Sequence, residues 1–550
     1  MTKIFQIFIL LCLLTTFLSC TKSGHTSVDL DKDPDILDQD IESDKEFPDD
    51  SEPETEDRNE IDDMFEDGPY GIDFGDTAGN FTIPTENGDW IFADNRNPDH
   101  SYIFIIYRPS NSISTSIWTT DIIKMMDSTP DNVHYFFLVD GTHETYAEKI
   151  SELKKNIENG ISITGNEQIK EKLHVADRPV REIDSWLNKW LDKHPDFFMG
   201  IDRFQKIREG GLFHSWRSST LDPKFEFISK EAELYNYEYE LDSFLENKSS
   251  VSTVIPAVDG VPFEGEGWVK ELFFTIEIPE LDSPGRFYLF LEQICESQKE
   301  CEWDRLLQLF LCENETSDNC TTEIGRWITT YGRSGKWLTD ISPLFPLIEN
   351  PGKYRFRFTV NGDNYINHLD FIYIPGKEEA PNPAEVVPLY SGTVPFDENY
   401  NSHWEQLNID IPASVNKVWI SAFITGHGNG SEAENCAEFC KFESIFYVNG
   451  QPFATRFDNA GTLEGCLNLV SEGVVPNQFG SWPFGRAGWC PGQDVKLINI
   501  DITEVIKKGE VNYINYESLL NGKDYIPIVT DPSGYRAEIP LSSYLILWQQ

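Results

Sequence analysis

Eight cysteines confined to one region are the feature of this 550-residue sequence that most constrains its fold. Two further cysteines, Cys12 and Cys20, lie near the amino terminus. An even number of cysteines at irregular spacings is typical of disulfides in an exported protein. Pairing between sequence neighbours closes the shortest loops, and we expect it, although spacing alone leaves the connectivity open. The eight are Cys295, Cys301, Cys312, Cys320, Cys436, Cys440, Cys466 and Cys490.

Zinc is the alternative explanation for grouped cysteines. No pair has the C-x2-C spacing of a structural zinc site, and His427 is the one histidine close to these cysteines. We therefore expect disulfides, and neither a metal nor another cofactor.

The amino terminus predicts export. Residues 1–20, MTKIFQIFILLCLLTTFLSC, have one lysine, a short apolar run and small residues before Cys20, as in a secretion signal. The ending FLSC resembles a bacterial lipoprotein box, in which Cys20 becomes the lipidated first residue of the mature protein. The alternative is an ordinary cleaved signal without a lipid. We expect an anchored lipoprotein at the cell surface or in the periplasm, with release by secretion as the alternative.

An acidic segment follows this leader. Residues 21–70 contain 20 acidic and 4 basic residues, a composition that favours a disordered, extended linker over 21–69. The whole chain has a formal charge of −49. Such a charge repels nucleic acid and anionic lipid headgroups, so we expect no nucleic-acid partner and membrane contact only through the lipid anchor. We expect a monomer.

Residues 70–245 combine strand and helix patterns. SYIFIIY (101–107) and HYFFLV (134–139) are typical of buried strands, and residues 143–161 and 181–194 have helical periodicity. Their alternation predicts an α/β domain with a parallel or mixed sheet. Two other stretches resemble thioredoxin-like domains, but no cysteine occurs in this range, so we exclude a redox role and expect a scaffold for spacing or binding.

From residue 252 onward, short strands separated by Pro, Gly, Asn and Asp predominate. In KYRFRFTV, three aromatic residues alternate with two arginines, which is typical of a half-buried antiparallel strand. A Pro-rich hinge at 376–386 divides the region into 252–378 and 386–550. Two adjacent all-β blocks of this size predict paired β-sandwiches or jelly rolls.

Two acids in this region each lie beside an aromatic residue and near cysteines. Asp304 stands in the sequence CEWDR, and Glu438 stands in CAEFC. Burial next to an aromatic ring raises a carboxyl pKa, whereas a neighbouring arginine lowers it, so the two acids can differ in protonation. If CEWDR is a strand, Trp303 and Arg305 share one face and Asp304 points to the other. The alternative is that the bridges only stabilise loops and that the acids are surface charges.

Three stretches resemble the peptide-N-glycosidase F family, which are bacterial amidases that release whole N-linked glycans from asparagine. They are CESQKECEWDR (295–305), with EIGRWITTY (323–331) shortly after it, GHGNGSEAENCAEFC (426–440) and GRAGWCPG (485–492). Their order, approximate spacing and cysteines agree with the family. The resemblance covers residues 252–550. It implies two consecutive antiparallel eight-stranded jelly rolls with the active cleft between them, and no cofactor. The implied substrates are N-linked glycoproteins or glycopeptides.

The resemblance also implies roles for individual residues. Asp304 becomes the primary catalytic carboxylate and Glu438 the second essential acid. The implied substrate-binding residues are Trp303, Arg305, His427, Phe439, Arg486 and Trp489. The implied disulfides are Cys295–Cys301, Cys436–Cys440 and Cys466–Cys490, and we pair Cys312 with Cys320, which lie in an insertion. Hydrolysis of an amide needs an activated water and a proton for the leaving nitrogen, and two carboxylates in unequal surroundings can divide that work.

The chain also departs from the family. A third supporting glutamate has no counterpart, because the aligned stretch FRFTVNGDNY offers Thr359 and Val360, with Asp363 as a nearby acid. The residues that stand where the family has tryptophan are Gly332, Thr425 and Phe439. The glycan preference is therefore open, and a glycan-binding surface lipoprotein with impaired catalysis is the alternative function.

Two other enzyme classes compete with the amidase. A glycosidase also uses paired carboxylates, but it leaves a sugar on the peptide, whereas an amidase leaves aspartate. A copper monooxygenase would share the paired jelly rolls. Residues 252–550 contain only His368, His403 and His427 and no His-x-His motif, so the ligands for copper are lacking.

Overall fold

The computed structural model describes residues 65–183, 185–210, 224–263, 268–281, 285–296, 301, 303–362, 365–376, 383–477 and 481–549. By its contacts the chain divides into Met1–Glu66 and Asp67–Gln550, and the description below concerns the second unit. The predicted leader with Cys20, the acidic linker up to residue 64, and Asp363 lie outside the described residues. The statements about them stay predictions.

The amino-terminal body, residues 67–248, is built around a mixed five-stranded sheet in the order β7-β6-β5-β8-β9. β5, β6 and β7 are parallel, and β8 and β9 run antiparallel to their neighbours. The strands β1 to β9 are Tyr70–Gly71, Thr77–Ala78, Thr82–Thr85, Gly88–Ile91, Ser101–Tyr107, Val133–Val139, Leu173–Val175, Phe198–Ile201 and Ile207–Arg208. The helices α1 to α6 are Phe92–Asn95, Ser112–Ile117, Ile123–Ser128, His143–Thr164, Ser185–Lys193 and Glu226–Lys248.

The predicted helix over 181–194 is wrong at its start. Val180–Glu182 forms a 3-10 turn, and α5 begins at Ser185. Ile183 has an extended backbone (φ −94°, ψ −152°), so one continuous helix cannot pass through it. Further 3-10 turns are Gln168–Glu171, Ser342–Leu347, Asn401–His403, Leu467–Glu472 and Thr503–Val505.

The first β-sandwich follows α6. Its two antiparallel sheets have the orders β10-β17-β12-β15 and β11-β16-β13-β14-β24. The strands β10 to β17 are Thr253–Asp259, Val269–Ile278, Gly285–Ile294, Leu306–Cys312, Cys320–Ile328, Gly335–Asp340, Gly352–Asn361 and Ile366–Pro375. The rings of Phe356 and Phe371 meet 5.1 Å apart between the two sheets, and Trp327 Nε1 donates to Thr339 Oγ1 at 3.1 Å. The predicted alternation holds here, because Phe356 and Phe358 are fully buried.

The second β-sandwich has sheets in the orders β18-β27-β20-β25 and β19-β26-β22-β23, and β21 pairs with β27. The strands β18 to β27 are Glu385–Pro395, Leu407–Asp410, Val415–Ile424, His427–Asn429, Phe442–Val448, Gln451–Arg456, Gln493–Asp494, Ile498–Asp501, Val511–Leu520 and Tyr535–Gln549. One continuous core joins both sheets, with Ile420 and Leu545 from one sheet and Phe446 and Tyr516 from the other. The predicted mainly β architecture is confirmed for the carboxy-terminal half.

All four predicted disulfides are present: Cys295–Cys301, Cys312–Cys320, Cys436–Cys440 and Cys466–Cys490. Cys312 and Cys320 occupy paired positions on the neighbouring strands β13 and β14, so the strand register brings them together. Four disulfides are compatible with the oxidising environment of an exported protein. Within the described ranges, no helix is both long enough and apolar enough to cross a membrane.

Candidate active site

The two sandwiches are joined by backbone hydrogen bonds beside the loops that carry the predicted site residues. β14 of the first sandwich pairs with β24, which comes from the second half of the chain. Beyond that pair, Gly492 N donates to Thr329 O at 3.1 Å. The loop before β13 and the turn after β14 therefore face the 485–492 segment across a short distance.

Asp304 lies in an irregular loop, and its direction is set by its neighbours. The condition that CEWDR forms a strand is not met, because β13 begins at Leu306 and Trp303 has a left-handed backbone (φ +90°). Such a conformation is uncommon for a bulky residue and persists where the surroundings enforce it. Thr329 supplies that constraint: its hydroxyl donates to Trp303 O at 2.9 Å and accepts from Arg305 N at 2.8 Å.

Trp303 and Arg305 form part of a surface stack, separate from the Asp304 carboxylate. The guanidinium carbon of Arg305 lies 4.3 Å from the ring centroid of Trp268 and 5.9 Å from that of Trp303. The two tryptophans are 56% and 45% exposed. The sequence reasoning missed Trp268, which contacts Arg305 only in the folded chain.

Glu438 lies on a one-turn helix, α7 (Cys436–Phe439), that the Cys436–Cys440 disulfide closes. Gly428 N donates to Glu438 Oε2 at 3.3 Å, and Ala487 N donates to Glu438 O at 2.9 Å. Gly426 must be glycine, because a Cβ there would lie 1.7 Å from Ala437 O. The motifs around residues 426, 438 and 487 thus pack directly on one another.

Arg486 joins the two acids. Its Nε donates to Glu438 Oε1 at 3.0 Å, and its Nη2 lies 3.5 Å from Asp304 Oδ2. Nη1 donates to Phe484 O at 2.8 Å. The arginine side chain is 1% exposed, whereas those of Asp304 and Glu438 are 16% and 11% exposed. One buried cation therefore holds two carboxylates, one from each sandwich, that remain open to solvent on one side.

The two carboxyls differ in their electrostatic surroundings. Burial raises the pKa of Glu438 to about 7, despite the Arg486 guanidinium that lowers it, and the nearby Asp304 charge raises it further. Burial also raises the pKa of Asp304 from its ordinary value, while Arg486 and a hydrogen bond from Tyr331 oppose that rise. A carboxyl with a pKa of about 7 is partly protonated near neutral pH, so Glu438 can exchange its proton there.

Tyr331 was missed as a site residue, although it ends the matched stretch EIGRWITTY. It is 7% exposed, and burial next to the Asp304 carboxylate raises the pKa of its hydroxyl far above the ordinary value. The hydroxyl thus stays protonated and can donate to Asp304. A tyrosine within a matched motif was the available signal.

His427 and Trp489 form a wall of the site. Their rings stack at 4.7 Å between centroids, Trp489 Nε1 donates to Gly426 O at 2.7 Å, and Trp489 is 5% exposed. Burial lowers the pKa of His427 to about 3, with Arg326 and Arg486 lowering it further, so the imidazole is neutral. The guanidinium carbon of Arg486 lies 4.8 Å from the ring centroid of Trp489 and 5.4 Å from that of Phe439.

A second buried arginine, Arg326, lies at the same junction and was also missed. It binds Glu323 through two hydrogen bonds of 2.7 Å and donates to Thr425 Oγ1 at 2.8 Å and Pro540 O at 3.0 Å. Thr425 Oγ1 in turn lies 2.9 Å from His427 Nε2. This Glu323–Arg326 pair fastens the first sandwich to the second directly behind the His427 wall.

The position of the family's third glutamate holds no acid among the described residues of that loop. Thr359 is buried between Glu271 and Gln308 in the strand register, and Val360 points into the core. An acid that the sequence reasoning missed, Glu538, pairs in register with His427 and accepts a hydrogen bond from Tyr535. Burial raises the pKa of Glu538, as it does for the two principal acids.

The fold and the site define a class: a double β-sandwich protein with two carboxylates, one from each sandwich, sharing a buried arginine. Residues 396–546 match the family model for the carboxy-terminal part of peptide-N-glycosidase F. The chain is also 26% identical, over 253 residues, to peptide-N(4)-(N-acetyl-β-D-glucosaminyl)asparagine amidase F of Elizabethkingia miricola; the match covers 42% of this chain and 67% of that protein. The predicted resemblance to the peptide-N-glycosidase F family is therefore confirmed.

Solved structures include similar proteins. PNGase F, a glycosylasparaginase from Flavobacterium meningosepticum, is 20% identical with a TM-score of 0.43, over 54% of this chain and 96% of that one. A structure of PNGF-II is 14% identical with a TM-score of 0.43, over 57% of this chain and 67% of that one.

Proposed function

We propose that this protein hydrolyses the amide bond between asparagine and an N-linked glycan. The intact glycan leaves as a glycosylamine, and the asparagine of the peptide becomes aspartate. The observation that carries the proposal is the shared arginine: Asp304 and Glu438 come from different sandwiches and both bind Arg486. The family resemblance supports the same reaction, since the related amidase acts on glycosylated asparagine by its name.

The two acids divide the reaction. Asp304, which Arg486 and Tyr331 hold toward the ionised form, takes a proton from a water molecule as that water attacks the amide carbonyl carbon. Glu438, with a pKa of about 7, gives its proton to the amide nitrogen as the C–N bond breaks. Arg486 balances the negative charge that develops between them. One water is consumed, and the products are an aspartyl carboxyl group and an amine.

The surface stack is the part of the site that recognises sugar. Trp268, Arg305 and Trp303 present flat, partly exposed faces beside Asp304, and sugar rings pack their apolar faces on such surfaces. Phe439 contributes a further ring against Arg486. Trp489, in contrast, is buried and hydrogen-bonded to the backbone, so it supports the partly exposed His427 ring that stacks on it.

A defined N-glycopeptide tests the proposal. Incubation with the full-length protein is expected to yield free glycan and a peptide with aspartate in place of asparagine, both identified by mass spectrometry. A peptide that keeps one sugar would indicate a glycosidase instead. A glycopeptide that binds and is never cleaved would overturn the amidase and indicate the glycan-binding alternative.

A further inference from the structure

We propose that Glu231, on helix α6 of the amino-terminal body, is a positioning residue for the active site. Through Arg333 it holds the turn that presents the Tyr331 hydroxyl to Asp304. This inference rests on the proposed amidase function. It gives the amino-terminal body a part in the reaction, although none of its residues belongs to the stretches that resemble the family.

The contact between the body and the first sandwich is a buried ion pair. Arg333 Nη1 lies 3.1 Å from Glu231 Oε1, and Nη2 lies 2.9 Å from Oε2. The side chains of Arg333 and Glu231 are 5% and 0% exposed. Arg333 Nη1 also donates to Pro476 O at 2.6 Å. A bidentate pair of this kind fixes the direction of the arginine as well as its charge.

Arg333 stands two residues after Tyr331 in a closed turn. Gly332 has a left-handed backbone (φ +59°), and its N–H donates to Cys301 O at 2.7 Å. The Thr330 hydroxyl donates to Arg333 O across the same turn. A displacement of Arg333 is therefore transmitted over two residues to Tyr331, whose hydroxyl binds Asp304.

Helix α6 is itself held firmly against the sandwich. Glu231, Glu238 and Asp242 are spaced by seven and four residues, so they lie on one face of the helix. On that face, Asp242 Oδ2 lies 2.5 Å from Lys336 Nζ. A Cβ at Gly473 would lie 2.7 Å from the ring of Tyr237, which shows how closely the helix approaches the residue that follows the 3-10 turn Leu467–Glu472. On this face the buried contact with the turn is therefore the one that Glu231 makes to Arg333, whereas the pair of Asp242 and Lys336 is partly exposed and lies beyond the turn.

Without Glu231, the guanidinium of Arg333 stays buried without its carboxylate. An uncompensated buried charge is strongly destabilising, so the Arg333 side chain is expected to move toward water or another partner. The turn then loses its fixed position, and the Tyr331 hydroxyl withdraws from Asp304. Because that hydrogen bond lowers the pKa of Asp304, its loss raises this pKa, and the acid limb of the rate profile moves to higher pH.

The experiment compares full-length wild type, Glu231→Gln and Asp242→Asn on a defined N-glycopeptide across the pH range. Glu231→Gln is expected to lower kcat by roughly 10- to 100-fold with little change in KM, because a small displacement of a catalytic group has that effect. The acid limb of the pH–rate profile of Glu231→Gln is expected to move to higher pH. Asp242→Asn removes the partly exposed pair with Lys336 on the same helix face and is expected to keep the wild-type profile.

Two further variants separate positioning from general damage. If Glu231 acts through Tyr331, then adding Glu231→Gln to Tyr331→Phe lowers kcat no further than Tyr331→Phe alone. The double substitution Glu231→Leu with Arg333→Met removes both buried charges. It is expected to keep the fold, which thermal melting checks, and still to lose activity. Wild-type kcat and an unmoved acid limb in that folded double variant would overturn the inference, as would additive losses. A wild-type protein that cleaves nothing overturns the proposed function itself, and the two failures are distinct.

Discussion

Two buried arginines join the sandwiches, and they are used in opposite ways. Arg326 binds a single carboxylate through two short hydrogen bonds, and both its side chain and that of Glu323 are fully buried. Arg486 divides its guanidinium between Glu438, at 3.0 Å, and Asp304, at 3.5 Å. The acids at Arg486 keep some exposure to solvent, whereas the acid at Arg326 has none.

The difference shows what separates a structural ion pair from a reactive one in the same protein. Glu323 also accepts hydrogen bonds from Ser542 and Gln308, so its oxygens are fully used. Asp304 and Glu438 share one cation, and burial raises the pKa of both. Two carboxyls that share one cation and keep some exposure to solvent can exchange protons with a substrate. The fully buried and fully hydrogen-bonded Glu323 instead stabilises the junction of the two sandwiches.

The largest effect is expected from the acids at Arg486. Asp304→Asn and Glu438→Gln preserve shape and remove the charge and the exchangeable proton. Each is expected to lower turnover by ~10²–10⁴-fold, the range of general acid–base contributions. The measurement is glycan release from a defined glycopeptide, with thermal melting to check folding. Asp410→Asn, at an exposed aspartate of the second sandwich, is the matched control. Near wild-type turnover in a folded Asp304→Asn protein would contradict the assignment.

Glu323→Gln is expected to lower the free energy of unfolding, whereas the substitutions at Asp304 and Glu438 lower turnover. It leaves the fully buried Arg326 without its carboxylate, and removal of one partner of a buried pair costs about 3–5 kcal/mol. Denaturant unfolding measures the change. Glu443→Gln, which removes the exposed pair with Arg456, is the control and is expected to change the free energy of unfolding by less than ~1 kcal/mol. Equal losses of unfolding free energy in Glu323→Gln and Glu443→Gln would contradict the structural role assigned to the pair of Glu323 and Arg326.

The pH dependence of kcat tests whether Glu438 at Arg486 is a reactive carboxyl. Burial raises the pKa of Glu438 to about 7, so its protonated form predominates below that pH and is lost above it. If Glu438 supplies the proton, kcat declines as pH rises through about 7, while protonation of Asp304 sets the acid limb. A pH–rate profile of the wild type checks this. A rate that keeps rising well into alkaline pH would exclude Glu438 as the acid.

The smallest effect is expected at Thr425, whose hydroxyl connects the two centres. It accepts from Arg326 Nη1 and lies within hydrogen-bonding distance of His427 Nε2. Thr425→Val keeps the shape and leaves these buried groups without that partner, which costs about 1–3 kcal/mol. Thermal melting measures the loss, and Thr425→Ser is the control that retains the hydroxyl. A stability equal to that of the wild type would show that the two centres are independent.

Much of the framework followed from local sequence patterns. The strands around Phe356 and Phe358 were predictable because alternation of aromatic and charged residues reports a half-buried strand directly. The Cys436–Cys440 bridge around Glu438 was predictable because sequence neighbours close short loops. The roles of Asp304, Glu438 and Arg486 were predicted from the motifs that resemble the peptide-N-glycosidase F family, and the structure places the three side chains in contact.

Other features depend on contacts between distant parts of the chain. The sequence left open whether CEWDR forms a strand, and it does not, because Thr329, immediately after β14, holds Trp303 in a left-handed conformation. Trp268 and Tyr331 were missed because each meets its partner, Arg305 or Asp304, only after folding. Glu323 and Arg326, three residues apart on one strand, were not predicted as a buried pair, because the second sandwich covers them only after folding.

The sequence by itself determined the disulfide-closed, mainly β carboxy-terminal half, because periodicity and spacing are local properties, and its resemblance to the peptide-N-glycosidase F family predicted the roles of the two acids. The tertiary structure decided how those acids are held. It brought Arg486 between them, Tyr331 onto Asp304, and Glu231 of the amino-terminal body onto the turn that carries Tyr331. The protonation of a carboxyl depends on desolvation and on charges a few ångströms away, and those distances exist only once the sandwiches and the helix have packed together.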